Sequence, residues 1–405
     1  MAVYLDHAAT TPMLPEAIDA YTRALGTFGN PSSIHSAGQE AKRLLEESRE
    51  TVATSVGADP IEVVFTSGGT EAINAAIKGL HWARNVGESR PLILAPGGEH
   101  HATIDAVEWL VTRQQAEVHW LPLDDDGFVL LDALERELVD NGDRVSLLTS
   151  IWVNNEVGSI QPIERMSALA ARFGVPFHVD AVAAYGHVPI DLAAVRAASG
   201  STGGAGLVAL SVSAHKIGGP VGAGALVLSR RATIEALVHG GGQQRQVRSG
   251  TQDVAAAAAF AAAARSAVER MSSEGPRLAD LRDRLVDGVR AAVPDAVLNG
   301  PTGETRVATN AHFSFPGCEG DSLLFLLDMA GVAVSTGSAC QAGIPEPSHV
   351  LRAMGRDEDA SRGALRMTLG HGSTDSDVDA LLAALPSAYA QARKAGHADR
   401  AVVPR

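Results

Sequence analysis

The feature that most constrains this chain is the alternation of short apolar runs with amphipathic segments over its first 260 residues or so. "EVVFTS" (62–67), "PLILAP" (91–96), "AEVHWLPL" (116–123), "RVSLLTSIWV" (144–153), "VPFHVDA" (175–181), "GLVALSVS" (206–213) and "GAGALVLS" (222–229) each read as a strand. Most are apolar on both faces, as strands of a sheet covered on both sides are. Helical patterns lie between several of them, as in 37–57 and 104–115. Alternation of this kind predicts an α/β domain around a mainly parallel sheet with helices on both faces.

Near residue 254 the texture changes. "VAAAAAFAAAARSAVERM" (254–271) is alanine-rich and strongly helix-prone. Beyond it come a strand-like "HFSFPG" (312–317), a helix over 320–331, an alternating "GALRMTLG" (363–370) and a polar helical tail. At 405 residues the chain exceeds the usual size of one domain. We expect a large domain over 16–262 and a smaller α+β domain made of 1–15 and 263–405. The small-residue stretch "AASGSTGGAG" (197–206) reads as a flexible excursion before a strand.

A formal net charge of −14 argues against nonspecific nucleic-acid binding, which needs phosphate neutralisation. No apolar run approaches the roughly 18 residues of a membrane span. The opening "MAVYLDHAATTP" has neither a basic region nor an apolar leader, so the expected location is the cytoplasm. The two cysteines, Cys318 and Cys340, cannot form a structural zinc site alone, and a reducing cytosol disfavours a disulfide between them. Cys340 stands in "STGSACQAG" (335–343), a stretch of small residues that is a poor burial place for a structural thiol. It is a candidate nucleophile. Cys318, in "FPGCEGDS", reads as a small buried or turn residue, and "LDDDG" (123–127) as a solvated turn.

Three further motifs carry chemistry. In "FTSGGTEAINAAIKG" (65–79), Gly68 and Gly69 allow close backbone approach, and Thr70 suits a helix N-cap. The turn is a candidate phosphate cradle, or only a well-capped turn. In "FHVDA" (177–181), Asp180 ends a buried run, where it would serve a ligand or a structural hydrogen bond. In "SVSAHKIGGPVGAGAL" (211–226), Lys216 follows an apolar strand directly. A lysine after one strand and a carboxylate after the preceding one suit pyridoxal 5'-phosphate: the lysine holds the aldehyde and the carboxylate pairs with the pyridine nitrogen.

With "YLDHAATTP", "FGNPSSIH", "VFTSGGTEAIN", "VNNEVG", "FHVDA", "SAHKIGGPVGAGAL", "GGGQQRQVRSGT", "STGSACQAG" and "EPSHVLRAMG", the chain resembles the cysteine desulfurases of the NifS/IscS type. These are fold type I pyridoxal-phosphate enzymes of the class V aminotransferase group. The resemblance runs from residue 4 to about residue 385. It implies that Lys216 holds the cofactor as a Schiff base and that Asp180 pairs with its ring nitrogen. It implies that His100 stacks on the ring and is a candidate to move protons, with His101 a bystander. Gly69, Thr70, Ser213 and His215 would bind the phosphate. Thr251 would reach the phosphate bound by a neighbouring subunit, which makes the active unit a homodimer. Asn155 would contact ring and substrate, and Arg366 would grip the substrate carboxylate with its fork. Cys340 would take sulfur from L-cysteine as a persulfide, leaving L-alanine, and pass it to a protein acceptor in iron–sulfur cluster assembly or tRNA thiolation. The small residues around it would let the loop swing between the two tasks. No metal is implied.

The chain departs from the family at two places that matter. Ala183 stands where the family has a glutamine hydrogen-bonded to the ring hydroxyl, and 195–206 is longer than usual. The acidic residue common before the lysine is also missing. The same-fold alternative is a selenocysteine lyase or another C–S lyase. Outside enzymes, the alternative is an idle scaffold on the same fold.

Overall fold

In the computed structural model, which describes residues 3–337 and 347–401, the chain opens with a short strand β1 (Val3–Tyr4) and helices α1 (Pro15–Leu25) and α2 (Ser36–Thr54). The seven apolar runs then become β2 (Val63–Thr66), β3 (Leu92–Pro96), β4 (Glu117–Leu121), β5 (Val145–Ile151), β6 (Pro176–Asp180), β7 (Gly206–Ser213) and β8 (Gly224–Leu228). Between them lie α3 (Gly69–Arg84), α4 (His101–Gln114), α5 (Leu131–Asn141), α6 (Ile163–Arg172) and α7 (Leu192–Ala198).

These strands form one seven-stranded sheet in the order β2-β8-β7-β6-β5-β3-β4. Contacts among β3 to β7 are parallel, whereas β8 runs antiparallel to both β7 and β2. The sheet is therefore mainly parallel, as the alternation predicts. Every residue of β2, β3 and β5 to β8 is buried, and only the edge strand β4 shows exposed positions. That is why those runs carry no polar alternation. The order reverses between β3 and β5, so a crevice opens beyond the carboxyl ends there, the usual ligand position in such sheets.

The alanine-rich segment begins a helix much longer than 254–271. α8 (Val254–Ala292) is capped by Asp253, whose carboxylate accepts from the Ala256 amide at 2.9 Å. Its first half packs Ala256, Ala257, Phe260, Ala261 and Ala264 into the core beside the large sheet. Its second half sends Leu278, Leu281, Leu285 and Val289 into a separate core. This continued apolar stripe carries the helix past 271, and position 262 falls inside it.

The second core surrounds a small antiparallel sheet. β9 (Val297–Leu298) and β10 (Asn310–Ser314) are followed by α9 (Gly320–Met329), β11 (Val332–Ala333), α10 (His349–Ala353), α11 (Glu358–Arg362), β12 (Ala364–Thr368) and α12 (Asp375–Ala401). The sheet order is β12-β10-β9, and β1 pairs in parallel with β11. The N-terminus is thereby carried to this second core, where Leu5 is fully buried.

Two local readings change. Thr70 is not the cap of α3: the helix starts at Gly69, with Gly68 as its N-cap at φ 147°. Two glycines let the chain turn two residues earlier than the hydroxyl suggests. The excursion at 197–206 is tied down: Ser199 Oγ accepts from Ser167 Oγ at 2.8 Å, and the Leu207 amide donates to both Ser167 Oγ and Ser201 Oγ. Asp124 turns its own "LDDDG" segment by accepting from the Asp126 and Phe128 amides. Among the described residues no helix is long and apolar enough to cross a membrane.

Candidate active site

A cavity of about 420 Å³ opens at the carboxyl ends of the central strands. It falls within the roughly 300–1,000 Å³ usual for small-molecule sites. Each element contributes from the residue at which its strand runs out. Asp180 is the last residue of β6, and Ser213 the last of β7, with His215 and Lys216 in the turn that follows. His100 precedes α4, Asn155 follows β5, and Gly69 and Thr70 open α3. Arg366 enters from β12. All of these line the one cavity. Thr251 is exposed and outside it, and Cys340 lies outside the described residues.

Lys216 is the central donor. Its Nζ hydrogen-bonds to the carbonyls of Ala8 and Ala9, the latter at 2.8 Å. Its pKa is drawn down to about 8, first by desolvation and then by the Arg366 cation. Asp180 is buried and accepts from the Val182 amide at 2.9 Å. Burial pushes its carboxyl up to about 6, against the pull of that amide and of Lys216. His100 lines the cavity and is exposed there, yet the surrounding protein desolvates it enough to lower its pKa to about 4, with Lys216 adding to the shift.

Arg366 is held from two sides. One terminal nitrogen donates to the Asn155 carbonyl at 2.9 Å, the other to Asp6 Oδ1 at 3.0 Å, and its Nε has no partner. Its backbone exchanges hydrogen bonds with Ser335, at 2.6 and 3.1 Å. Ser335 opens the "STGSACQAG" stretch. On the far side of the undescribed residues, Ser348 Oγ donates to buried Glu156 at 2.5 Å, and His349 Nε2 donates to the Glu99 carbonyl at 2.8 Å. Ser335, Gly337 and His349 all line the cavity.

The residues present fit pyridoxal phosphate. Ser213 Oγ and Asn155 Oδ1 are buried in the cavity wall without a hydrogen-bond partner, as groups awaiting a polar ligand would be. Gly68 caps α3 with no side chain of its own, so the helix N-terminus is open to an anion beside the Thr70 hydroxyl. A Cβ on Gly69 would stand 2.7 Å from Val182 Cγ2, so only glycine keeps that approach clear.

Comparison with known proteins agrees with this geometry. The Aminotransferase class-V family model matches residues 3–381. The chain belongs to the class-V aminotransferase family. Within the family it is 52% identical over 393 residues to an IscS-like cysteine desulfurase of Mycobacterium tuberculosis, covering 97% of each chain. It is 38% identical to a cysteine desulfurase IscS of Clostridium botulinum, covering 97% of this chain and 95% of that one. Among solved structures, a NifS-like protein superposes with a TM-score of 0.86 at 32% identity, covering 96% of this chain and all of the other.

Several residues in and around the site escaped the reading of the sequence. Asp6 and the carbonyls of Ala8 and Ala9 lie in "YLDHAATTP", a motif whose residues had no assigned task. Glu99, fully buried, directs Oε1 to the Ile151 amide at 2.8 Å, and burial pushes its carboxyl up to about 8. His101, read as a bystander, lines the cavity with its ring 4.7 Å from that of His349. Other polar residues have structural tasks. His35 caps α2, and His178 bridges Thr149 and Ser211 inside the sheet. Arg248 pairs with Glu71 at 2.9 Å, and Cys318 is buried in the second core. Ala183 lines the cavity and offers no side-chain donor there.

Proposed function

We propose that this member of the class-V aminotransferase family is a cysteine desulfurase, taking sulfur from L-cysteine and releasing L-alanine. The observation that carries the reading is the convergence of Lys216, Asp180 and Arg366 on one cavity flanked by both ends of the cysteine-bearing segment. Pyridoxal phosphate, when bound, supplies an electron sink for the substrate Cα–H electrons. Lys216 would hold it, Asp180 would face its ring nitrogen, and Gly69, Thr70, Ser213 and His215 would hold its phosphate. Arg366 would bind the substrate carboxylate, exchanging part of its hold on Asp6 for a charge-assisted pair. Asn155 would orient ring and substrate through its unpartnered Oδ1. A Lys216 amine with its pKa near 8 can accept and return a proton near neutral pH. Cys340 would receive the sulfur. Its role rests on the "STGSACQAG" motif and on the placement of Ser335, Gly337 and His349 around the cavity.

The same reading extends to organisation. The unit 16–262 would carry the cofactor, and the unit of 1–15 with 263–405 the substrate carboxylate site and Cys340. Two copies would pair so that Thr251 of each serves the other's phosphate, in the cytoplasm, with a protein acceptor taking the persulfide. Purified, cofactor-loaded protein should form L-alanine and sulfide from L-cysteine with a thiol reductant, and Cys340→Ala should abolish this. Full activity in Cys340→Ala, or no alanine from the loaded protein, would refute the reading. Activity of that variant on selenocysteine alone would point to a lyase instead.

A further inference from the structure

Helix α4 starts at His101, and the residue that caps it is His100. What an N-cap side chain meets is an unpaired backbone N–H, so it must accept a hydrogen bond. His100 accepts with Nδ1, from the Ala102 amide at 3.1 Å. A ring nitrogen that accepts carries no proton, and the neutral imidazole held in this way keeps its one proton on Nε2. A second proton would have to go to Nδ1. That would break the cap and place a cation at the positive end of α4.

The groups that act electrostatically on His100 give no relief. They are Lys216 beyond β7, His101 on α4, His349 on α10 and Arg366 on β12, and a positive charge on any of them opposes one on His100. Glu99, the acid beside it in sequence, directs one carboxyl oxygen to the Ile151 amide, and burial raises its pKa and so favours its neutral form. Among the described residues, every group that acts electrostatically on His100 disfavours its protonation.

We propose that the N-terminus of α4, acting through the Ala102 amide, locks His100 as the neutral Nε2–H tautomer, so that it meets the cavity as a hydrogen-bond donor and not as a base. The Ala102 amide is then a positioning group, and proton acceptance in the cavity falls to Lys216. This catalytic consequence rests on the cofactor and substrate assigned above, whereas the lock itself does not.

The test is nitrogen NMR of the full chain, loaded with pyridoxal phosphate and labelled with 15N in its histidine rings. His100→Gln assigns the His100 signals by their loss. We expect one unprotonated nitrogen, Nδ1, and one protonated nitrogen, Nε2, unchanged from about pH 6 to about pH 8, the range over which an ordinary histidine titrates. An Nδ1–H tautomer, or an imidazolium anywhere in that range, would overturn the lock. Ala102→Pro removes the amide proton at a first-turn position where no helical hydrogen bond depends on it. In that variant the ring should begin to titrate or to mix tautomers, and a ring still locked would show that the Ala102 amide is not the cause. If the variant does not fold, the unsubstituted protein decides alone. Alanine formation is measured on the same samples. A locked ring without alanine formation would refute the proposed reaction and leave the lock standing; a protonated ring with alanine formation would do the reverse.

Discussion

Arg366 and Asp6 stand 360 positions apart in the chain and meet at 3.0 Å. Their side chains are 6% and 20% exposed, so the pair is held largely out of water. It exists because β1 docks beside β11 and the Thr368 amide donates to the Leu5 carbonyl at 2.7 Å. Asp6 thus sets the orientation of the fork that would receive the substrate.

Arg366→Lys keeps the charge but loses the planar fork. The Michaelis constant for L-cysteine should rise by about tenfold or more, with a smaller fall in turnover number, because the lost contact binds the unreactive carboxylate. Steady-state alanine formation measures this. An unchanged Michaelis constant would remove Arg366 from the substrate site.

Cofactor loading should report the state of Lys216. The amine must be neutral to attack an aldehyde, and it is protonated below its pKa of about 8. The rate of loading onto apoprotein should rise about tenfold per pH unit below that point and level off above it. Growth of the visible absorbance band follows the process. A rate still climbing steeply past pH 9 would mean that Lys216 behaves as an ordinary lysine. In Lys216→Ala the band should not form.

Ala183 leaves the cavity wall without a donor where the family has an amide. Ala183→Gln should restore one hydrogen bond, worth about 1 kcal/mol, and tighten the cofactor about fivefold. Dialysis against known free cofactor gives the constant. Weaker binding would mean that the side chain clashes rather than bonds.

The two cysteines should separate cleanly. Cys318 is buried, and desolvation pushes its thiol up to about 11, so it should resist alkylation near neutral pH. Cys318→Ala should cost about 1 kcal/mol of stability with alanine formation unchanged. Peptide mass spectrometry after brief alkylation, with denaturant melts of the variant, checks both. Labelling of Cys318 at the rate of a free thiol would contradict its burial.

The sequence made the large sheet readable because strands buried on both faces leave uninterrupted apolar runs. Asp180 and Lys216 were readable for a related reason: each stands at or just beyond the point where such a run ends. Asp6, Glu99, Glu156 and His349 were not. Glu156 and His349 line the cavity, and Asp6 and Glu99 act on residues that do, all through contacts between distant segments, and periodicity records nothing about such contacts. Thr70 misled because a hydroxyl is the usual cap signal, while the two glycines before it had already turned the chain. The 39-residue length of α8 was hidden by the change from alanine to leucine along its buried stripe.

That helix has a consequence for how the molecule comes apart. One continuous rod supplies Phe260 to the first core and Leu285 to the second, so melting either core frays the element on which the other is built. The two cores are therefore bound to a common fate: heat should release them in one cooperative step, and neither should survive as a fragment cut within α8.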